Sequence, residues 1–498
     1  MSGSPPGRYE MVVGLEVHVQ LKTRTKAFCR CSTSFGDPPN QNTCPTCLAL
    51  PGALPVLNAH AVELAARAAL ALGCTVHTRS IFARKNYFYP DLPKGYQISQ
   101  FDRPLAEWGS VSIGDTTTGR AIGVTRIHME EDAGKSVHDR FPGFTAIDLN
   151  RSGVPLIEIV SEPELRSSDE ATAYLRALKE ILLYAEVSDC SMEEGSLRVD
   201  ANVSARPAGD DALRTRTEIK NLNSFSNVAK ALDAEFARHC DVYDRGGTVQ
   251  QQTMLFDAAG TQVRPARSKE GSHDYRYFPE PDLPPLVLSQ AYIQGLQYAL
   301  PEFPSARRAR FTSSFGLSAV DSEVLTASRD VGTYFEEVAR ASGDPKAAAN
   351  WVMGEVLAAL NESGGPIADF PVRSARLAEL ITLSKGGALS STAAKKVFGA
   401  MVAEGAAGAA FAGATPAGAT PAGAKEVAER LGLLQVGDDA VLRGWIDEVL
   451  SEHPAEAARY AGGETKLQGV LVGFVMKKSG GRADPKKVNQ LLAERAGR

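Results

Sequence analysis

The stretch Val13-Gly14-Leu15-Glu16-Val17-His18-Val19-Gln20-Leu21 decides how the first half of the chain is read. Val13, Leu15, Val17, Val19 and Leu21 alternate with Gly14, Glu16, His18 and Gln20. A period of two belongs to a β-strand, so one face is buried and the other presents a carboxylate and an imidazole. The pattern returns downstream. Leu197, Val199, Ala201 and Val203 alternate with Arg198, Asp200, Asn202 and Ser204. Arg214, Arg216, Glu218 and Lys220 fall on one face of a further predicted strand. The run Ile122 to Glu131 is strand-like and leads into Glu130, Glu131 and Asp132. A solvated face accounts for any one of these strands. Several together predict a polar cleft floored by a sheet that carries no helix on that side.

Helices interrupt this part. Asn58 ahead of Val62, Leu64, Ala65 and Ala69, with Gly73 after, reads as a capped helix. Ser167 and Glu170 form a capping-box pattern ahead of Tyr174, Leu175, Leu178, Ile181, Leu182 and Ala185. The class is α+β: a mixed α/β domain over 1–294, then helices. Beyond Pro279–Pro285 the apolar spacing is helical over 291–300, 322–342, 345–360, 373–383 and 392–404, which defines an all-α domain over 295–404. Residues 405–424 include the tandem AGATP-AGATP, without charge and almost without large apolar side chains. Such a stretch predicts a flexible linker. Residues 425–498 read as a small helical tail domain. From Glu464 onward it carries eight basic and three acidic residues. That local excess suits either a solvated helix face or a phosphate-binding surface.

Over all 498 residues, 54 basic side chains face 59 acidic ones, a formal charge of −5. This excludes a wholly basic nucleic-acid coat and confines phosphate contact to local patches. The uncharged stretch 405–424 has the length of a membrane span but not the hydrophobicity, so no membrane contact is expected. MSGSPPGRYE lacks the basic and apolar regions of a signal peptide, and a cytoplasmic protein is expected.

Cys29, Cys31, Cys44 and Cys47 form C-x-C-x12-C-x2-C. Two close thiol pairs on a short loop can close tetrahedrally on zinc, and four filled positions make the site structural, a zinc knuckle. Cys74, Cys190 and Cys240 are isolated core candidates. Glu16 and His18 stand about 7 Å apart on one strand face, which suits an ordinary surface pair as well as the flanking of a hydrated cation. Glu130, Glu131, Asp132, Asp200 and Glu218 add carboxylates. Crowding them without a cation raises their pKa values, so a divalent ion is the simplest way to hold them together. Aromatic and basic residues interleave from Arg84 to Lys94 and from Asp274 to Pro279, each string running into Pro-Asp-Leu-Pro. Stacking on a base and packing on the core are both open for these rings. Gly134-Lys135-Ser136 ends like a P-loop, but Met129 stands where the first glycine must be. Neither G-x-G-x-x-G after a strand nor G-x-S-x-G occurs.

Longer strings are more specific. VGLEVHVQL (13–21), CPTCLALPGALPVLN (44–58), RKNYFYPDLPKGYQISQ (84–100), IHMEEDAGKS (127–136), DLNRSGVPLIEIVSEPE (148–164), SDCSMEEGSLRVDANVS (188–204), EIKNLNSF (218–225) and RSKEGSHDYRYFPEPDLP (267–284) resemble one family. It is the B-subunit of the heterotrimeric aspartyl/glutamyl-tRNA amidotransferase of bacteria and organelles. The resemblance continues through AKKVFGAM (394–401) and LVGFVMKKSGGRADPKKVNQLL (471–492). The archaeal relative carries an inserted domain for which the segment after Pro285 is too short.

The resemblance implies a cradle-type N-terminal domain with a nucleotide site unrelated to a P-loop. It implies that misacylated Glu-tRNA(Gln), Asp-tRNA(Asn) or both are bound, and that ATP phosphorylates the side-chain carboxylate. Ammonia released from glutamine by the amidase (glutaminase) A-subunit then displaces phosphate, and the small C-subunit joins the other two. The non-discriminating synthetase is a further partner it brings in. ATP, Mg2+ and Zn2+ are the implied cofactors. Glu16, His18 and Glu131 match the magnesium ligands or the groups orienting its water, and Lys85 and Lys94 match cationic residues near the ammonia gate and substrate carboxylate. Asp200, Glu218 and Arg276 are cofactor-binding candidates. Cys29, Cys31, Cys44 and Cys47 match the zinc knuckle, and the basic tail matches the tRNA-binding module. The alternative is a tRNA-binding scaffold that has lost the phosphorylating chemistry.

Overall fold

The computed structural model describes residues 8–114, 119–266, 275–410, 422–435 and 438–495. The chain divides into two compact units, Met1–Phe303 and Pro304–Arg498. In chain order the strands are β1 (Tyr9–Gln20), β2 (Thr75–Val76), β3 (Arg79–Ser80), β4 (Ala83–Asn86), β5 (Tyr96–Ser99), β6 (Ala106–Ile113), β7 (Arg120–Glu131), β8 (Lys135–Phe141), β9 (Phe144–Asp148), β10 (Pro155–Ser161), β11 (Leu197–Pro207), β12 (Thr217–Leu222), β13 (Thr253–Asp257), β14 (Gln262–Pro265), β15 (Phe278–Pro279) and β16 (Leu286–Val287). The first unit also holds helices α1 (Ala59–Ala71), α2 (Ser168–Tyr184), α3 (Phe225–Asp244) and α4 (Gln290–Tyr298).

The main sheet has nine strands in the order β14-β13-β12-β11-β1-β10-β7-β6-β2. All neighbours are antiparallel except β12 and β13. The alternation in β1 does what a period of two requires. Val13, Leu15, Val17 and Val19 are buried in one core with Leu64 and Ala65 of α1, Tyr174, Leu175 and Leu178 of α2, and Val228 and Leu232 of α3. Burying each large apolar side chain is worth about 1.5–3 kcal/mol. A slip of one residue would exchange that row for Glu16 and His18, so the apolar side fixes the register that aims the charged side. The polar face is met by the small sheet β15-β4-β5 rather than by a helix. Gln97 and Ser99 of β5 donate to the Glu130 carboxylate of β7.

Local signals explain the helices. The Asn58 side chain accepts from the backbone N–H groups of His60 and Ala61, which caps α1. Ser167 accepts from Glu170 N–H, but the Glu170 carboxylate takes the N–H of Arg166 rather than closing a reciprocal box. The strand expected from Arg214 begins only at Thr217. Arg214 instead pairs with Asp210 in the preceding loop. The expected boundary at 294 lies inside α4, whose Ile293 packs in the first unit's core.

In the second unit the run 322–342 is two helices, Ala319–Thr326 and Arg329–Ser342. A helix over Pro304–Phe315 has no counterpart in the apolar spacing. Its buried face is Phe311 and the aliphatic stem of Arg307, whose guanidinium meets the buried Glu336, so the hydrophobic period is missing. The helix Ser391–Ala410 extends through Gly405 into the stretch expected to be linker, because Gly-Ala-Ala-Gly-Ala-Ala keeps high helix propensity at its alanines. At the other end of that stretch Ala424 is buried in an apolar cluster with Val427 and Ala428. The intervening AGATP repeats lie outside the described residues. A separate apolar cluster from Leu442 to Leu492 forms the core of the tail. No helix among the described residues is long and apolar enough to cross a membrane.

Candidate active site on the polar face of the sheet

Register places one row of charged residues side by side across four strands. His128 of β7 is opposite Glu158 of β10, Glu158 is opposite His18 of β1, and His18 is opposite Arg198 of β11. His18 Nε2 is 3.3 Å and His128 Nε2 3.4 Å from Glu158 Oε2. His128 Nε2 also lies 3.1 Å from Glu130 Oε1. Lys85 of β4 reaches the same oxygen at 4.0 Å. Asp132 closes the row, accepting at 2.7 Å from both Gln20 Nε2 and Arg198 Nη1.

One step along β1, Glu16 lies opposite Asp200 of β11. Ligand oxygens of Glu16, Asp200 and Glu218 lie within 4.8 Å of one another, as do ligand atoms of His18, Glu130 and Glu158. Lys220 Nζ bridges Asp200 at 2.6 Å and Glu218 at 2.8 Å. Glu16 has a neutral donor, Asn202 Nδ2, at 3.0 Å. An irregularity between Val199 and Ala201 in the β11–β12 ladder, with Asn221 at φ 68°, bends β12 beside this trio. Three carboxylates served by one ammonium form an all-oxygen donor set that suits a hard divalent cation.

The expected magnesium set of Glu16, His18 and Glu131 is therefore divided. Glu16 and His18 share a strand face but belong to two adjoining clusters, and Glu131 belongs to neither. Its carboxylate is held by Lys94 and by the N–H of Ile98 at 2.9 Å. Alternation along β7 separates it from Glu130. The Lys94–Glu131 pair lines a cavity of ≈ 10 Å³ together with Lys26, Phe28, Cys29 and Cys47. That volume is room for about one water.

The four cysteines meet beside that cavity. Cys47 Sγ is 3.6 Å from Cys29 Sγ and 3.7 Å from Cys44 Sγ, and all four sulfurs lie within 4.8 Å of one another. Sulfurs on a tetrahedral zinc at ~2.3 Å stand about 3.8 Å apart, so this donor set fits the ion. Lys26 is wholly buried, and its Nζ donates to Asn42 O at 2.7 Å and Leu149 O at 3.1 Å, 3.5 Å from Cys47 Sγ. The Cys29 thiol and the Lys26 charge bring Cys47 down to about 4, while burial pushes Cys31 up to about 11.

The two Pro-Asp-Leu-Pro strings become neighbours through β4 and β15, with Phe278 opposite Arg84. Arg84 forks onto Glu280 at 2.8 and 2.9 Å. Tyr277 stacks on Phe101 at 4.2 Å, and Lys85 Nζ sits 5.1 Å over the Tyr275 ring. Arg276 takes a positive φ of 43°, and its carbonyl accepts from Asn86. Asp274 lies outside the described residues.

Electrostatics follow from this crowding. Burial and the repulsion of Glu158 and Glu218 raise the Glu16 carboxyl. Burial opposes ionisation of Glu130, but Lys85 and His128 hold it near 2. Burial also opposes charging of His128, yet Glu158 and Glu130 raise it to about 9. Folding therefore takes up a proton at His128. The stability this contributes is complete below ~6.5, the unfolded value, and is lost as pH rises through about 9. In metal-free protein the loss amounts to at most about 3 kcal/mol. Thermal unfolding between pH 6.5 and 9.5 should show a falling melting temperature that is flattened in His128→Asn. An equal slope in both proteins would refute the assignment.

Sequence reasoning missed Glu158 and His128 as members of the site. The signal for Glu158 was a lone carboxylate in Pro155-Leu-Ile-Glu-Ile-Val, a run apolar on both faces. The signal for His128 was its spacing of two from Glu130, which puts both on one strand face.

A helix-backed sheet with a carboxylate–imidazole floor and a four-thiol knuckle defines a class of catalytic domain. The model of the GatB/GatE catalytic domain family matches residues 11–294, and that of the GatB domain matches residues 333–495. The aspartyl/glutamyl-tRNA(Asn/Gln) amidotransferase B-subunit of Prosthecochloris aestuarii is 51% identical over 487 residues, covering 98% of each chain. Proteins of the same name from Solidesulfovibrio magneticus and Geobacter sulfurreducens are each 49% identical over 490 residues, covering 98% of this chain and 100% and 99% of theirs. The chain belongs to the B-subunit family of the aspartyl/glutamyl-tRNA(Asn/Gln) amidotransferases.

Proposed function

We propose that the polar face of the nine-stranded sheet is where this chain converts Glu-tRNA(Gln), Asp-tRNA(Asn) or both to the amide forms, using ATP. The observation that carries the reading is the pairing of an all-oxygen trio, Glu16, Asp200 and Glu218, with the His18, Glu130 and Glu158 cluster on one open sheet face. Ammonia does not displace oxide from a carboxylate. Transfer of the γ-phosphoryl group to the side-chain oxygen makes an acyl phosphate, and ammonia attack then breaks the C–O bond and releases phosphate. Magnesium, when bound by the oxygen trio, would screen charge between the nucleotide and the substrate carboxylate.

The chain's own residues supply the rest. Lys220 neutralises Asp200 and Glu218 and so keeps the trio from repelling itself apart. His18 and His128 hold Glu158 ionised despite its burial. Lys85 stands at the rim of this cluster and is the cation we assign to the incoming carboxylate or phosphate. Lys94 and Glu131 form the ion pair beside the small cavity, where a neutral ammonia could pass only if the pair parts. Arg276 and its aromatic neighbours are assigned to the nucleotide. Cys29, Cys31, Cys44 and Cys47 hold structural zinc.

The amidase partner supplies the ammonia, the small third partner joins it to this chain, and the helical tail binds tRNA. A cytoplasmic location goes with this reading. A scaffold without chemistry would have no use for this many buried carboxylates, each costly to desolvate. Incubating the chain and its partners with γ-labelled ATP and Glu-tRNA or Asp-tRNA, without an ammonia donor, tests the reading. Label is expected on the aminoacyl group, and hydroxylamine should displace it as labelled phosphate, leaving a hydroxamate on the side chain. ATP left intact in the presence of bound aminoacyl-tRNA would leave only the scaffold.

A further inference from the structure

A second concavity lies apart from the carboxylate face. It is an open basin of ≈ 730 Å³ lined by Arg24, Arg30, three threonines and two serines, with no acidic or apolar side chain. The sequence concentrates charge there: from Val17 to Gly36 there are four basic residues and no acidic one. Lys26 turns inward to the cysteines, whereas Lys22, Arg24 and Arg30 are exposed. Among the described residues neither Arg24 nor Arg30 is in an ion pair. In the basic tail part of the charge is engaged within the fold: Lys478 pairs with Glu448 and Glu452, Lys487 with Asp439 and Arg495 with Asp447.

Local folding pre-arranges the basin. Thr25 bridges Ser32, Lys26 N–H donates to Cys31 O at 3.0 Å, and Thr33 N–H donates to Arg24 O at 3.4 Å. This narrow hairpin brings Arg24 and Arg30 to one surface, and Cys29 and Cys31 flank Arg30. Thr23 Oγ1 donates to Thr25 O and Ser32 Oγ to Ser34 Oγ, which orients the hydroxyls. Two free guanidinium groups among fixed hydroxyls are the chemistry that reads phosphodiester oxygens without reading bases. Phe35, 73% exposed, follows directly and offers a ring for stacking.

We infer that the hairpin Thr23–Ser34 is a phosphate-binding arm that grips the sugar–phosphate backbone of the bound tRNA, a contact in the cradle additional to the tail. It rests on the tRNA reading above. A mononucleotide phosphate has the same chemistry, but nucleotide sites enclose most of their ligand and carry apolar walls. An open, wholly polar basin fits a continuous backbone.

The test is tRNA binding by fluorescence anisotropy across a salt series, using the full chain within its assembled complex. Arg24→Gln/Arg30→Gln should weaken tRNA binding about 10- to 100-fold and reduce the slope of log affinity against log salt by about 1–2. Zinc content, KM for ATP and kcat at saturating tRNA should not change. Arg24→Lys/Arg30→Lys should restore most of the slope. Wild-type affinity and slope in the Gln variant would overturn the inference, as would a raised KM for ATP with tRNA affinity intact, which would give the basin to the nucleotide. If the Gln variant loses zinc, Arg24→Glu, which spares the cysteine-flanking arginine, carries the same readings. A wild-type complex that binds no tRNA would overturn the functional reading itself and this inference with it.

Discussion

Glu16→Gln should lower ammonium-supported amidation by about 10³-fold, or ~4 kcal/mol of transition-state stabilisation, with tRNA affinity unchanged. The substitution keeps the shape of the side chain and an oxygen for Asn202 Nδ2, so the sheet has no reason to rearrange. What it removes is one negative charge. Glu16 is the member of its trio without an ammonium, because Lys220 lies on Asp200 and Glu218. Its raised pKa says that in the empty cleft its ionised form is disfavoured by burial, Glu158 and Glu218. A neutral amide relieves that repulsion, so the metal-free variant should melt no lower than wild type. Activity and stability moving in opposite directions is the mark of a charge kept for chemistry. If Glu16→Gln lost stability and activity together, Glu16 would be a structural residue.

The second large effect concerns the knuckle. Cys47→Ser should abolish stoichiometric zinc and destabilise the segment 26–58. Structural zinc contributes ~10–16 kcal/mol in small peptides, although a chain already braced by a large core feels only part of that. Cys47 is the buried member of the four and the one that contacts Lys26. Its loss leaves the Lys26 ammonium buried without a thiolate, next to the cavity shared with Lys94 and Glu131. The Asn42 and Leu149 carbonyls still accept from it, so the cost stays below the about 3–5 kcal/mol of a buried charge left wholly without a partner. Zinc assay and thermal unfolding read the loss directly. Transfer of glutamine-derived ammonia should suffer more than use of free ammonium, because the damaged wall borders the proposed gate rather than the carboxylate trio. Full zinc content in Cys47→Ser would remove this residue from the ligand set.

How far the chain could be read from its letters depended on the kind of force involved. The alternation in Val13–Leu21 and Leu197–Ser204 is enforced by burial, which is local and periodic, so the strands and their polar face were legible. Grouping on that face was not, because it follows from cross-strand register. No spacing says that Glu158 of β10 stands beside His18 of β1, or that Asp200 stands beside Glu16. Glu131 illustrates the limit: a motif string joined it to Glu16 and His18, yet a strand puts consecutive residues on opposite sides, and Lys94 claims it. Arg214 and Arg216 failed differently, since alternating charges without a buried row between them hold no strand. The helix at Pro304–Phe315 was hidden because an Arg307–Glu336 ion pair occupies the place of an apolar stripe.

The central claim is that activation of the tRNA-borne carboxylate takes place on this chain's carboxylate face. Its most direct test bypasses glutamine. The chain is reconstituted with its amidase and small bridging partners and given ammonium, ATP and magnesium, with Glu-tRNA and Asp-tRNA offered separately and Glu16→Gln in parallel. Amide on at least one tRNA, one ADP released per amide, and neither in the variant is the predicted result. Amide formed at the wild-type rate by the variant, or tRNA bound with ATP never consumed, would contradict it.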